Sequence, residues 1–159
     1  MRALLSVLFL VVGCGQVVAP TPIPTPPPTP IEPRIEARVL VWGASWCSTC
    51  KQALPEVNAA LNKLSNRDLV SFEVFVPTGA NSSDRPTLEL AKKYVEFLKL
   101  DAVAMVDEWY WRRYQSYFGG SIAIPAGVLL GADGAVRAKW PAGSLDAAEV
   151  ARKTKQLLP

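Results

Sequence analysis

Two cysteines separated by two residues, Cys47 and Cys50 in the stretch WGASWCSTCKQALPEV, are the side chains of this sequence best suited to chemistry. Thiols at this spacing serve as a metal clip, a structural staple or a redox pair. The 159 residues contain three cysteines and no histidine, whereas a closed zinc site takes four sulfur or nitrogen ligands. That ligand count argues against a metal. A bridge between residues so near in sequence closes a small loop and removes little entropy from the unfolded chain, which argues against a staple. Redox exchange is the leading reading.

Redox work requires the pair to sit where one sulfur ionises and the other is shielded, and the flanking sequence supplies such a place. ARVLVWGA, Ala37 to Ala44, is apolar apart from Arg38 and reads as a buried strand. After the cysteines, Ala53, Leu54, Val57, Ala60, Leu61 and Leu64 fall on one helical stripe, with Lys51, Gln52, Glu56 and Lys63 largely off it. Cys47 therefore falls at a helix N-terminus, where unpaired backbone N–H groups and the helix dipole favour negative charge. Its thiol is expected to ionise more readily than a free cysteine. Cys50, one turn further along the same helix face, is placed to attack a mixed disulfide formed at Cys47.

The remaining elements alternate. LVSFEVFV, Leu69 to Val76, predicts a second strand, and PTGANSSDRP a loop. A helix is expected from about Pro86 to Leu100, with Leu88, Ala91, Val95 and Leu98 inward, then a strand over Ala102 to Val106. Asp107 is a candidate cap for a helix reaching Phe118, which Gly119 and Gly120 would end. AGVLLGADGAVRAKW predicts a hairpin turning at ADG, and a last helix spans Leu145 to Leu158 with a capping box from Asp146 and Glu149. This order argues for a three-layer α/β sandwich around a mixed sheet. Within EWYWRRYQSYF, Tyr110, Tyr114, Tyr117 and Phe118 share a helix face suited to packing on the sheet; Trp109, Trp111, Arg112 and Arg113 fall on the opposite side, which reads first as a solvated face, with a partner-docking patch as the alternative.

The N-terminal region has a different character. Arg2 precedes an apolar run from Ala3 to Val12, too short to span a bilayer as a helix and laid out as an export signal. VVGC, Val11 to Cys14, resembles the bacterial lipobox, which implies a signal over 1–13 and a lipid on Cys14 that anchors the chain in a membrane. Several acyl chains on one residue meet the requirement of stable anchoring for more than one chain. The proline-rich segment PTPIPTPPPTPIEP completes a linker over 14–34; as a polyproline rod its length is on the order of 40 Å. Residues 35–159 suffice for one domain. The net charge of +3 and the lack of a basic block speak against nucleic acid as a partner.

At the cysteines the sequence resembles the thioredoxin superfamily. WCSTCK is similar to its W-C-x-x-C-K core, Pro55 to the proline of its active-site helix, AIPAG around Pro125 to its cis-proline segment, GADG to its hairpin turn, and Gly143 to the glycine before its last helix. The unit from Pro86 to Val106 is similar to the helix and strand inserted in the membrane-anchored TlpA/ResA-like branch. The resemblance implies a thioredoxin-like α/β/α sandwich and an extracytoplasmic thiol-disulfide oxidoreductase with Cys47 and Cys50 catalytic. It implies no cofactor beyond that redox-active disulfide and no metal. Trp46, Ile124 and Pro125 would bind substrate, with Pro125 cis. The implied partners are disulfide-containing proteins, a transmembrane electron donor and the membrane itself; the implied setting is the periplasmic face of a bacterial membrane, for example in cytochrome c maturation.

The chain also departs from that pattern. Val41 stands where thioredoxin has a buried aspartate, and Val76 to Gly79 offer none of the acid that ResA-like members carry after the second strand. Glu73 and Asp107 are the candidate replacements. Ser48 and Thr49 supply hydroxyls where strong oxidants of the fold often place histidine, which favours a reductant over an oxidase or isomerase. A redox-inactive binding module, a thiol peroxidase and a copper chaperone are the alternatives; the lack of histidine speaks against the copper site.

Overall fold

The computed structural model describes residues 34–107, 111–120 and 123–159. The signal segment, Cys14, the linker to Pro33, and Trp109 and Tyr110 of the aromatic cluster lie outside them. In chain order the strands are β1 (Ala37–Trp42), β2 (Val70–Val76), β3 (Val103–Val106), β4 (Ala126–Gly131) and β5 (Val136–Trp140); the helices are α1 (Ser48–Leu61), α2 (Leu88–Phe97), α3 (Arg112–Phe118) and α4 (Ala147–Lys155).

The apolar run of β1 reflects burial on both faces, because it is the central strand of a five-stranded sheet ordered β3-β2-β1-β4-β5. β1, β2 and β3 run parallel, while β4 is antiparallel to β1 and to β5, so the sheet is mixed as expected. Both parallel crossovers step the same way across the sheet, and right-handed connections then place α1 and α2 on one face. Side chains alternate accordingly. Val39 and Val41 join Leu54, Val57, Tyr94 and Val150 in the core beneath α1, α2 and α4, and Cys47 and Cys50 belong to that same cluster. Leu40 and Trp42 point the other way, into a second core with Phe75, Val128 and Tyr114 beneath α3. Three layers result, with α3 alone on the second face among the described helices.

Helix ends differ from the sequence reading where long-range contacts decide them. α2 starts after Thr87, whose hydroxyl accepts the Leu90 N–H (3.2 Å), and closes through Lys99 in left-handed geometry with Leu100 N–H on the Val95 carbonyl (3.1 Å). In α4 the Asp146 carboxylate accepts the Glu149 N–H at 2.7 Å, while Glu149 pairs with Arg152 at 3.7 Å. The largest departure concerns α3, which begins at Arg112 rather than directly after Asp107. Asp107 still serves as its cap, from further upstream. Its buried carboxylate accepts the Arg113 N–H (3.1 Å), the Tyr114 N–H (3.0 Å) and the Trp42 indole N–H (3.0 Å).

Trp42 is fully buried in this second core, stacked on Phe75 with ring centroids 5.2 Å apart and met edge-on by Tyr114 at 5.7 Å. Tyr117 and Phe118 also pack against it, as the helical stripe implied. Trp111 is half-buried and lies edge-on to Tyr114 at 5.6 Å, and the Arg113 guanidinium covers Phe75 at 4.9 Å; Arg112 and Arg113 are exposed as expected. Replacing Asp107 with alanine would strip one acceptor set from an indole and two amide donors, so Asp107→Ala is expected to lower stability by about 3 kcal/mol. A urea titration followed by tryptophan fluorescence checks it.

Candidate active site

The chain leaves the sheet with Gly43, whose N–H continues the pairing to Phe75 (3.0 Å). A side chain on Gly43 would come within 3.1 Å of Leu54 Cδ2 and 3.4 Å of Tyr94 Oη, so glycine lets α1 and α2 approach the end of β1 closely. The Cys47 N–H then returns to the Ala44 carbonyl at 3.1 Å and closes the turn. Cys47 is the N-cap of α1, and its sulfur accepts the Cys50 N–H at 3.1 Å. This is the place of an N-cap oxygen, taken by sulfur.

Cys47 and Cys50 are joined as a disulfide with Cα atoms 5.3 Å apart. Cys50 is fully buried on the inward stripe with Leu54, Val57 and Leu61, whereas Cys47 retains 6 % exposure. What exposure the pair retains therefore lies at Cys47. The first turn of α1 holds no acidic side chain that would repel a thiolate. Thr49 Oγ1 lies 3.5 Å from Cys47 Sγ; a disulfide sulfur has no proton, so the hydroxyl is the donor. Lys51 is exposed.

The other expected site residues converge on Cys47. The Ile124–Pro125 bond is cis, and the Ile124 carbonyl oxygen lies 3.9 Å from Cys47 Sγ. Pro125 is buried. The segment is held by a residue the sequence reading had assigned to packing: the Tyr114 hydroxyl donates to the Ala123 carbonyl (3.0 Å) and accepts the Ala123 N–H (3.3 Å). Trp46, 43 % exposed, donates its indole N–H to Thr78 Oγ1 at 2.9 Å. Thr78 itself is buried just past β2 and carried no sequence signal. Beside the pair, Ser45, Lys51, Leu90, Lys93, Tyr94 and Phe97 line an open groove of about 290 Å³.

The candidate carboxylates are elsewhere. Glu73 is gripped by Arg38 through two bonds (2.7 and 2.9 Å) and by the Ser71 hydroxyl (3.1 Å). Alternation along β2 puts Phe72 and Val74 in the cysteine core and Glu73 on the other face, and Asp107 is committed to Trp42 and α3. Neither replaces the aspartate whose place Val41 takes. Among the described residues no three cysteine or acidic side chains gather into a metal-binding group. On the cysteine face, Tyr94 Oη is a fully buried oxygen without a hydrogen-bond partner among the described residues.

This arrangement, a parallel β-α-β unit ending in an antiparallel hairpin with a cysteine pair at the first helix and a cis-proline opposite, is the thioredoxin fold. Solved structures agree. A thioredoxin-family thiol:disulfide interchange protein from Chlorobium tepidum superposes with a TM-score of 0.60 and 21 % identity over 78 % of this chain and 81 % of that one. A secreted Mycobacterium tuberculosis disulfide oxidoreductase homologous to E. coli DsbE gives 0.56 and 19 % over 77 % and 82 %. The exposed lipoprotein thioredoxin Etrx1 of Streptococcus pneumoniae gives 0.58 and 18 % over 79 % and 87 %. No family model matches the chain, and no curated protein matches its sequence.

Burial pushes the Tyr94 phenol well above its ordinary value near 10. Folding thus disfavours the phenolate, and the stability this adds, fully present below pH 10, is lost as pH rises towards the folded-state value. An unpartnered buried hydroxyl also costs about 1–3 kcal/mol, so Tyr94→Phe is expected to raise the urea midpoint at neutral pH and to flatten the decline above about pH 10.

Proposed function

We propose that this chain is an extracytoplasmic thiol-disulfide oxidoreductase that reduces disulfides in proteins. The observation that carries the reading is the sulfur of Cys47 at the N-cap of α1, partly exposed and bonded to the buried Cys50. In the reduced enzyme the Cys47 thiolate attacks one sulfur of a substrate disulfide, and the departing thiolate takes a proton from water. Cys50 then loses its proton and attacks Cys47 Sγ, expelling the second substrate sulfur as a thiol. The substrate gains two electrons and two protons, and Cys47–Cys50 is left oxidised until a dithiol donor on a membrane partner reduces it. No cofactor beyond the pair takes part.

The partner-facing groups follow from the same geometry. The Ile124 carbonyl and Trp46 flank Cys47 and bind an extended segment of substrate. The secreted and lipoprotein characters named for two structural neighbours, with the signal layout and Cys14, support a lipid-anchored location outside the cytoplasm. The hydroxyls of Ser48 and Thr49 favour electron flow towards the substrate; the cysteines of apocytochromes c are a fitting substrate class.

Reduction of insulin in the presence of a dithiol is the direct test. Cys47→Ser is expected to abolish it, and Cys50→Ser to accumulate a mixed disulfide with substrate at Cys47. Equilibration with thiol buffers should place the potential near thioredoxin's, about −270 mV, whereas a value near DsbA's, about −120 mV, would reverse the assigned direction. In cells, Cys14→Ser is expected to move the protein from the membrane fraction to the soluble one.

A further inference from the structure

Trp46 is a large apolar side chain, 43 % exposed, immediately before the reactive cysteine. Outside a helix and half in solvent, an indole has several rotamers open to it. Here one is selected, because its N–H reaches across 32 positions of sequence to Thr78 Oγ1 at 2.9 Å. Thr78 is 4 % exposed, so its hydroxyl is a buried acceptor fixed by its surroundings. The loop that follows is closed by its own hydrogen bonds. Directly after Thr78, the Gly79 N–H bonds the Asp84 carbonyl (2.8 Å), the Asp84 N–H bonds the Asn81 carbonyl (3.2 Å), and the Asp84 carboxylate accepts from Asn81 N and Nδ2 (3.1 and 3.0 Å). The loop is pinched so tightly that a Cβ on Gly79 would fall 2.4 Å from Asp84 Cβ.

Simple packing does not account for a threonine here, since valine fills the same volume without a polar atom to satisfy. Among the described residues, the hydroxyl's hydrogen bond is the one to Trp46. We propose that Thr78 is a positioning residue: it holds the Trp46 ring as a fixed apolar wall beside Cys47, and this wall selects substrate segments in which an apolar or aromatic residue flanks the disulfide cysteine. The inference rests on the dithiol reading above and adds to it a determinant of substrate choice. A ring held in one orientation meets such a residue without first giving up rotamer freedom, so the effect falls on binding rather than on exchange between sulfurs.

The test compares the wild type with Thr78→Val, which deletes the acceptor at constant volume, and Thr78→Ser, which restores it. Substrates are two short peptide disulfides, one with phenylalanine and one with serine beside the cysteine, and hydroxyethyl disulfide, which has no flanking group. The wild type is expected to favour the phenylalanine peptide by about fivefold in kcat/KM, through KM, the scale of one neutral hydrogen bond. Thr78→Val should lose that preference while its rate with hydroxyethyl disulfide stays within about twofold, and Thr78→Ser should recover it. An unchanged preference in Thr78→Val, or an equal loss on hydroxyethyl disulfide, overturns the assignment. Hydrogen exchange of the Trp46 indole N–H gives a readout independent of turnover: slow in the wild type and in Thr78→Ser, fast in Thr78→Val. Should the wild type reduce none of the three disulfides, the dithiol reading fails, and this exchange rate still decides whether Thr78 holds the ring; equal rates in all three proteins overturn it.

Discussion

A sulfur atom caps α1, and most of the remaining structure can be read as what is needed to put it there. For Cys47 Sγ to accept the Cys50 N–H, the chain must leave β1, turn within a few residues and enter a helix whose stripe returns to the same sheet. A parallel neighbour, β2, leaves room for that crossover, and Gly43 allows α1 and Tyr94 to close over the exit. The antiparallel neighbour matters as much. Trp42, the last residue of β1, pairs with Ala126, the first of β4, so the residues that follow one strand and precede the other must meet. The meeting of Cys47 and the Ile124 carbonyl is a consequence of that register.

The sheet also sorts polarity. Its α1 face receives the cysteines, the Tyr94 hydroxyl and apolar side chains, while the buried carboxylates Glu73 and Asp107 are consigned to the α3 face and paired there. Cys47 sits at the cap of α1 with a small remaining exposure, and Cys50 lies one turn further in, fully buried.

What the sequence disclosed follows from how local each feature is. The cysteine spacing, the two-sided apolar run of β1, the hairpin at Ala132–Gly134 and the stripe of α1 are properties of adjacent residues, and the sheet grew from them as expected. Trp46 and the cis bond before Pro125 were reached through resemblance rather than physics. The start of α3 escaped because its cap lies six residues ahead of the first amide that it serves, and no capping pattern spans that gap. Thr78 and Tyr94 escaped because their meaning depends on partners 32 and 51 positions away, Trp46 and Gly43. Trp111 is left-handed at the N-cap of α3, outside the helical phase of the stripe, and its ring meets Tyr114 edge-on.

The site is therefore supported from two sides by different kinds of force. On one side an aromatic core around Trp42 anchors Tyr114, and the Tyr114 hydroxyl reaches out of that core to hold Ala123 by both backbone groups, next to Ile124. On the other, Thr78, buried just past β2, accepts the Trp46 indole N–H. Neither support touches the sulfurs, so sequence change in α3 or in the loop can reshape what Cys47 meets while its cap and its bond to Cys50 stay as they are. Disulfide exchange needs little more than two sulfurs and a helix end, which a short motif can encode. On the proposed reading, choosing among disulfides needs walls beside Cys47, and the hydrogen bonds that hold Trp46 and Ala123 are contacts that only the folded sheet creates.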